Sequence, residues 1–177
     1  RVFATAEPDR YEAAHVGEDG ETSLWDTRVS PVMRDGEVVG VIQISSNVTE
    51  RRQAAAERDR LFDLSMDMLC VAGTDGYFKR LNPAFEYTLG YSVEELMARP
   101  FVEFVHPDDR ARTQAVIERL AQGEPVIDFD NRYRCRDGSF RWLSWRASPD
   151  RTGRLMYATA RDVTQKRSLE QLLVHSQ

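Results

Sequence analysis

Short alternations of apolar and polar residues, broken by Gly, Asp and Asn, run through most of the chain and predict strands joined by tight turns. Residues 68–72 form an apolar run, Asp75-Gly76 supplies a turn, and residues 77–81 return as a second strand. Asn82-Pro83-Ala84-Phe85 then reads as a helix opening, with Asn as the cap and Pro at the first helical position. Gly90 ends that helix, and Ser92-Val93-Glu94-Glu95 has the spacing of a capping box for another. Pro107-Asp108-Asp109 opens a longer helix to about Gln122, both carboxylates favouring the positive end of its dipole. Ala115, Val116, Ile117, Leu120 and Ala121 supply its apolar face, and Gly123 stops it. Strands resume over 127–133 and 140–147. In the latter, Phe140, Trp142 and Ser144 share one face and Leu143, Trp145 and Ala147 the other. An aromatic on each face predicts a sheet covered on both sides, by the linker helix or a partner subunit. The order of elements is that of an α+β fold, a five-stranded antiparallel sheet with short helices on one face.

One segment occurs twice. Asp19-Gly20, Arg28 and Ser30-Pro31 recur as Asp137-Gly138, Arg146 and Ser148-Pro149, each 118 residues later. Both copies pass through a polar turn into a second strand, which ends as Asn47-Val48-Thr49 or Asp162-Val163-Thr164, here 115 residues apart. Each copy reads as a hairpin running into a helix, with Thr49 and Thr164 as N-caps whose hydroxyls accept from the first free helix amides. The first copy lacks the strands and helices that precede the second. Its Trp25, Val29, Val41, Ile42 and Ile44 therefore need a partner, be it the linker, the second module or another chain. Between the copies, residues 50–66 read as a charged helix in which Val48, Ala55, Phe62 and Leu69 recur every seven residues, half of a coiled-coil seam.

Composition narrows the function classes. The chain has 177 residues, 24 Lys+Arg against 29 Asp+Glu, and 41% hydrophobic residues. That is a globular composition, and its mild acidity without a basic patch argues against nucleic acid as a partner. Two cysteines, Cys70 and Cys135, both in apolar strand-like segments, fit free thiols in a reducing compartment. No apolar run approaches the roughly 20 residues of a membrane span, and no signal-peptide pattern stands at the start. The expectation is a cytoplasmic segment without direct membrane insertion, with an anchor elsewhere in a longer parent left open.

The residues Asp75-Gly76, Asn82-Pro83-Ala84-Phe85, Leu89-Gly90-Tyr91-Ser92, His106-Pro107-Asp108-Asp109-Arg110, Tyr133 through Trp142, and Asp162-Val163-Thr164 follow one another in an order that resembles the PAS domain with its PAC-type C-terminal half. The resemblance implies the C-terminal half of a truncated PAS domain over 1–49, a linker helix over 50–66, a complete PAS domain over 67–164, and the start of an output helix over 165–177. It implies a sensory and dimerisation module of a multidomain signal-transduction protein, foremost a sensor histidine kinase of a two-component system, with a homodimer through the linker helix and sheet face and an output domain downstream. A ligand-free interaction and spacer module, or the PAS module of a diguanylate cyclase, are the alternatives. It also implies that Asp162, Val163 and Thr164 relay the signal from sheet to output helix, with Asn47, Val48 and Thr49 as the earlier equivalents. An amide at Asn47 cannot make the ion pair open to Asp162.

Catalytic patterns are absent. His15, His106 and His175 form no metal-ligand spacing, and no Gly-rich phosphate loop or nucleophile motif occurs. His106 precedes Pro107 and reads as a helix cap, which argues against haem, and the cysteine motif of flavin photoreceptors is missing. No cofactor is expected. An unknown small molecule between sheet and helices would meet Cys70, Phe85, Tyr87, Phe104, Val116, Leu120, Phe129, Tyr133, Trp142 and Tyr157, with Arg80, Ser144 or Thr159 to orient it. The same side chains equally suit a filled core.

Overall fold

The computed structural model describes residues 2–174. They divide into two compact units, one up to Asp59 and one from Arg60 onward.

The first unit contains a short helix α1 (Val2–Thr5) and an antiparallel sheet of β1 (Asp9–Val16), β2 (Thr22–Arg34) and β3 (Glu37–Asn47), in that spatial order. β2 turns into β3 at Asp35-Gly36, both at positive φ, which a two-residue hairpin of this kind requires. Trp25 and Val29 are half-buried, but Val41, Ile42 and Ile44 are exposed, Ile44 to 63%. Within the first unit these three side chains are uncovered. β3 is an edge strand.

Helix α2 (Thr49–Leu64) follows directly on β3 and has no buried residue. Of the four seam positions only Ala55 and Phe62 lie in it; Val48 precedes the helix and Leu69 belongs to a strand. The seven-residue recurrence is thus not a continuous helical seam.

In the second unit, β4 (Met68–Gly73), β5 (Phe78–Leu81), β6 (Val126–Arg134), β7 (Phe140–Pro149) and β8 (Leu155–Asp162) form an antiparallel sheet of order β5-β4-β8-β7-β6. Helices α3 (Ala84–Leu89), α4 (Val93–Met97) and α5 (Pro107–Ala121), with a 3-10 turn at Phe101–Phe104, connect β5 to β6. Their Phe85, Leu89, Leu96, Phe104, Ile117 and Leu120 join Met68, Cys70, Leu143, Trp145, Met156 and Ala160 of the sheet in one core. Ser92 makes the expected capping box: its hydroxyl accepts from the Glu95 amide and the Glu95 carboxylate accepts from its own.

Three local expectations change. Asn82 does not cap α3, whose N-cap position is taken by Pro83 with no side-chain cap bond. The buried stripe of α5 is Asp109, Thr113, Ile117 and Leu120, with Val116 partly buried, whereas Ala115 and Ala121 face solvent. Alanine carries no preference strong enough to fix a face by itself. Asp108 stays exposed at the helix start, but Asp109 turns inward. The face of Trp142 is covered from within the chain: the guanidinium carbons of Arg167 and Arg132 lie 4.1 and 5.1 Å from its ring centroid. Arg167 belongs to α6 (Thr164–Val174), where Leu169, Leu172 and Leu173 are exposed.

Candidate functional site

The chain enters and leaves the second sheet on neighbouring strands. β4, which follows α2, pairs with β8, which runs into α6, so that Met68 lies opposite Ala160 and Leu69 opposite Thr159. At the entrance, Asn82 is fully buried. Its Oδ1 accepts from the Leu69 amide at 2.9 Å, and its Nδ2 faces the carbonyls of Asp67, Phe62 and Ser65 at 2.9, 3.1 and 3.3 Å. The Phe62 carbonyl is one that a helix end leaves unpaired, and Ser65 and Asp67 follow the helix, so Asn82 clips the end of α2 and the segment after it to β4. The Arg80 guanidinium, 4.1 Å from the Phe62 ring centroid, holds the same turn from the side. Next to it Arg161 of β8 grips the Asp67 carboxylate through Nε and Nη2 at 2.9–3.0 Å.

At the exit, the Thr164 hydroxyl oxygen accepts from the Trp142 amide at 2.8 Å, and the Thr164 amide donates to Asp162 Oδ1 at 2.9 Å. Asp162 Oδ2 accepts from Arg141 Nη1 at 2.8 Å. Partial burial raises the Asp162 pKa, but the Thr164 hydroxyl and amide and the Arg141 guanidinium together hold it below the ordinary carboxylate range. The threonine is not the expected N-cap: its hydroxyl binds the adjacent strand rather than a helix amide, because β7 presents the Trp142 amide beside the first helical residue. The first unit repeats the device, with the Thr49 oxygen accepting from the Leu24 amide at 2.8 Å and the Thr49 amide donating to Asn47 Oδ1 at 3.0 Å. Ser23 stands where the second copy has Arg141, so the neutral Asn47 has no cation to answer.

Between sheet and helices of the second unit lies a cavity of about 70 Å³. Cys70, Val116, Leu120, Phe129 and Tyr133 line it. Phe85 and Phe104 are fully buried elsewhere in the core, while Tyr87 is 87% exposed and Tyr157 also faces solvent. Trp142 lies on the other face, beneath Arg167. Neither Arg80, Ser144 nor Thr159 reaches the cavity. Sequence reasoning missed its polar side, a chain in which Trp145 Nε1 donates to Asn131 Oδ1 at 2.8 Å, Asn131 Nδ2 to the Thr113 hydroxyl at 3.0 Å, and that hydroxyl to the Asp109 carbonyl at 2.8 Å. The signal was available in the period of two that puts Asn131 beside Tyr133 and the period of four that puts Thr113 beside Asp109 and Ile117. At about 70 Å³ the space is far below the about 300–1,000 Å³ of small-molecule sites.

Burial pushes the Cys70 thiol up to about 12, and the Tyr133 hydroxyl is likewise raised by burial and by the neighbouring Cys70. Cys135 is also buried, its thiol directed at the Thr88 carbonyl. Ellman's reagent at pH 8 should therefore titrate neither thiol in the native chain and both in urea; rapid native reaction of one thiol would contradict the burial. His106 caps α5, its Nδ1 accepting from the Asp108 amide at 3.2 Å, as expected. Among the described residues no cluster of His, Cys, Asp or Glu could hold a metal; His175 lies outside them.

Residues 78–159 match the family model of the PAS fold. No curated protein matches the chain. Among solved structures, the PAS domain of an HTR-like protein from Haloarcula marismortui is similar at 25% identity, covering 64% of this chain and 94% of that one with a TM-score of 0.56. A sensory box histidine kinase/response regulator from Burkholderia thailandensis is 27% identical over 71% of this chain and 94% of that one, with a TM-score of 0.51. A domain of a sensory box sensor histidine kinase/response regulator from Geobacter sulfurreducens shares the fold at 24% identity, covering 64% and 96% of the two chains, TM-score 0.55. With its β5-β4-β8-β7-β6 sheet and its helices on one face, the second unit has the PAS fold, and through it the chain is similar to PAS domains of sensory proteins.

Proposed function

We propose that the chain is the sensory and dimerisation segment of a multidomain signal-transduction protein, foremost a cytoplasmic sensor histidine kinase, and that its second sheet relays a conformational change to α6. The observation that carries this reading is the staple at Thr164. It joins the first residue of α6 to the neighbouring strand β7, so a displacement of β7 against β8 moves the helix. The 27%-identical neighbour named as a histidine kinase supports the parent assigned here. The relay works by population shift: an input favours one of two sheet arrangements, and only a difference in its affinity for the two moves the equilibrium. Asp162→Ala removes the partner of Arg141 and the acceptor for the Thr164 amide while leaving the core intact. In the intact parent it is expected to change the regulated output with little loss of folded protein, read as autophosphorylation with and without stimulus. Unchanged regulation would remove Asp162 from the relay.

A second reading is favoured by one observation. A cavity of about 70 Å³ suits a filled core better than a haem, a flavin or another cofactor of their size. On that reading the input is mechanical and arrives through α2, whose end is clipped at Asn82 beside the start of α6. The exposed Leu61 and Leu64 on α2 and Tyr157 on the outer sheet face are the contacts offered for a homodimer.

A further inference from the structure

The outer faces of both sheets carry the same cross-strand ion pair. In the second unit Arg167, three residues beyond Thr164, donates from Nη2 to Asp130 Oδ2 at 2.7 Å with its guanidinium over the Trp142 ring. Asp130 lies opposite Ser144, and Trp142 opposite Arg132, on the side away from α3, α4 and α5. In the first unit Arg52, three residues beyond Thr49, pairs with Glu12, which lies opposite Asp26. The helix partners are 115 residues apart and the carboxylates 118, the same two offsets that relate the copies on either side of the hairpin turn. Leu24 takes the place of Trp142. Each pair reaches across the sheet, from a helix that follows β3 or β8 to a carboxylate on β1 or β6, two strands away.

A helix held only at its first residue can pivot there. A second contact three residues on, about 4.5 Å along the axis, removes that freedom. Arg132, the other cation over Trp142, is occupied by Asp109 at 2.8 Å and does not compete for Asp130. The pair is half-exposed, so its charge term is modest, and the ring contact adds to it.

We propose that Arg167, clasped to Asp130 over Trp142, is the positioning residue that sets the direction of α6, and that Arg52 with Glu12 does the same for α2 at the first sheet. The regulatory meaning of the clasp rests on the relay reading above, but its existence does not. In the full chain, Arg167→Ala and Asp130→Ala are each expected to speed amide hydrogen exchange in residues 166–174 about fivefold, a factor in keeping with a partly exposed ion pair on a ring. The urea midpoint, a readout a merely structural role would move, should hold. The exchanged pair Arg167→Asp with Asp130→Arg should recover most of the protection lost in either single reversal. Unchanged exchange in both alanine variants, or a double reversal as unprotected as the singles, overturns the proposal. Faster exchange in α6 with unaltered parent output leaves the clasp standing and defeats the relay reading; unaltered exchange alongside an Asp162→Ala effect on output defeats the clasp and leaves the relay.

Discussion

Asn82→Ala is expected to destabilise the second unit by about 3 kcal/mol and to lower its melting temperature by roughly 10 °C. The side chain is fully buried and bonded on both ends. Its oxygen serves the Leu69 amide, and its two N–H groups are shared among the carbonyls of Phe62, Ser65 and Asp67. Truncation removes these bonds and leaves at least two backbone groups beside a fully buried position without a partner, each costing about 1–3 kcal/mol. The backbone bond from the Asn82 amide to the Leu69 carbonyl remains, so the strand pair should persist while the end of α2 comes loose. Asn82→Asp should be worse than alanine, since a carboxylate would face three carbonyls with no proton to give. Urea unfolding and hydrogen exchange over residues 60–68 measure both effects. A midpoint unchanged from the native chain would show that the clip carries no stability.

Asp109 governs the second large effect, and with it the acid stability of the domain. The residue is only 4% exposed, yet its carboxylate accepts from the Arg132 amide at 2.8 Å, from Arg132 Nε at 2.9 Å and from Nη2 at 2.8 Å. The Arg132 guanidinium holds its pKa down to about 2 against burial, which acts in the opposite direction. Because the folded value lies below the unfolded one, the stabilisation is complete above about pH 4 and is lost as the pH falls through about 2. The shift corresponds to about 2 kcal/mol. Urea midpoints should accordingly fall between pH 4 and pH 2 in the native chain, and Asp109→Asn should lose this part of the slope. At neutral pH that variant sets an amide against the Arg132 donors and leaves a cation short of its partner, an expected loss of about 3 kcal/mol or more. Equal midpoints for the two proteins at pH 6 would contradict the assignment.

The elements legible in the sequence are those whose signal is local. Alternation placed the strands, the Ser92–Glu95 spacing foretold a capping box, and His106 before Pro107 read correctly as a cap. Self-comparison found the two strand-to-helix junctions, though not that Thr49 and Thr164 bind a neighbouring strand. What escaped was mostly long-range. Asn82-Pro83 has the local look of a helix start, but the partners of Asn82 lie 13 to 20 residues earlier in the chain. Asp108 and Asp109 look alike at a helix start, yet one is exposed and the other is buried against an arginine 23 residues on. For the cavity, alternation separated Trp142 from Trp145 but gave no sign of which face the helices would cover.

The amino-acid order alone determined the α+β class, the repeat and the positions of the turns, because periods of two and 3.6 residues, caps and glycines act over a few neighbouring residues. Only the folded chain decided which face of β7 became core, that α2 is clipped by a buried asparagine, and that an arginine of α6 lies across the sheet to Asp130. Those depend on strand register and on which polar groups meet once water is excluded, and pairings between residues so distant in sequence leave no periodic trace in the chain.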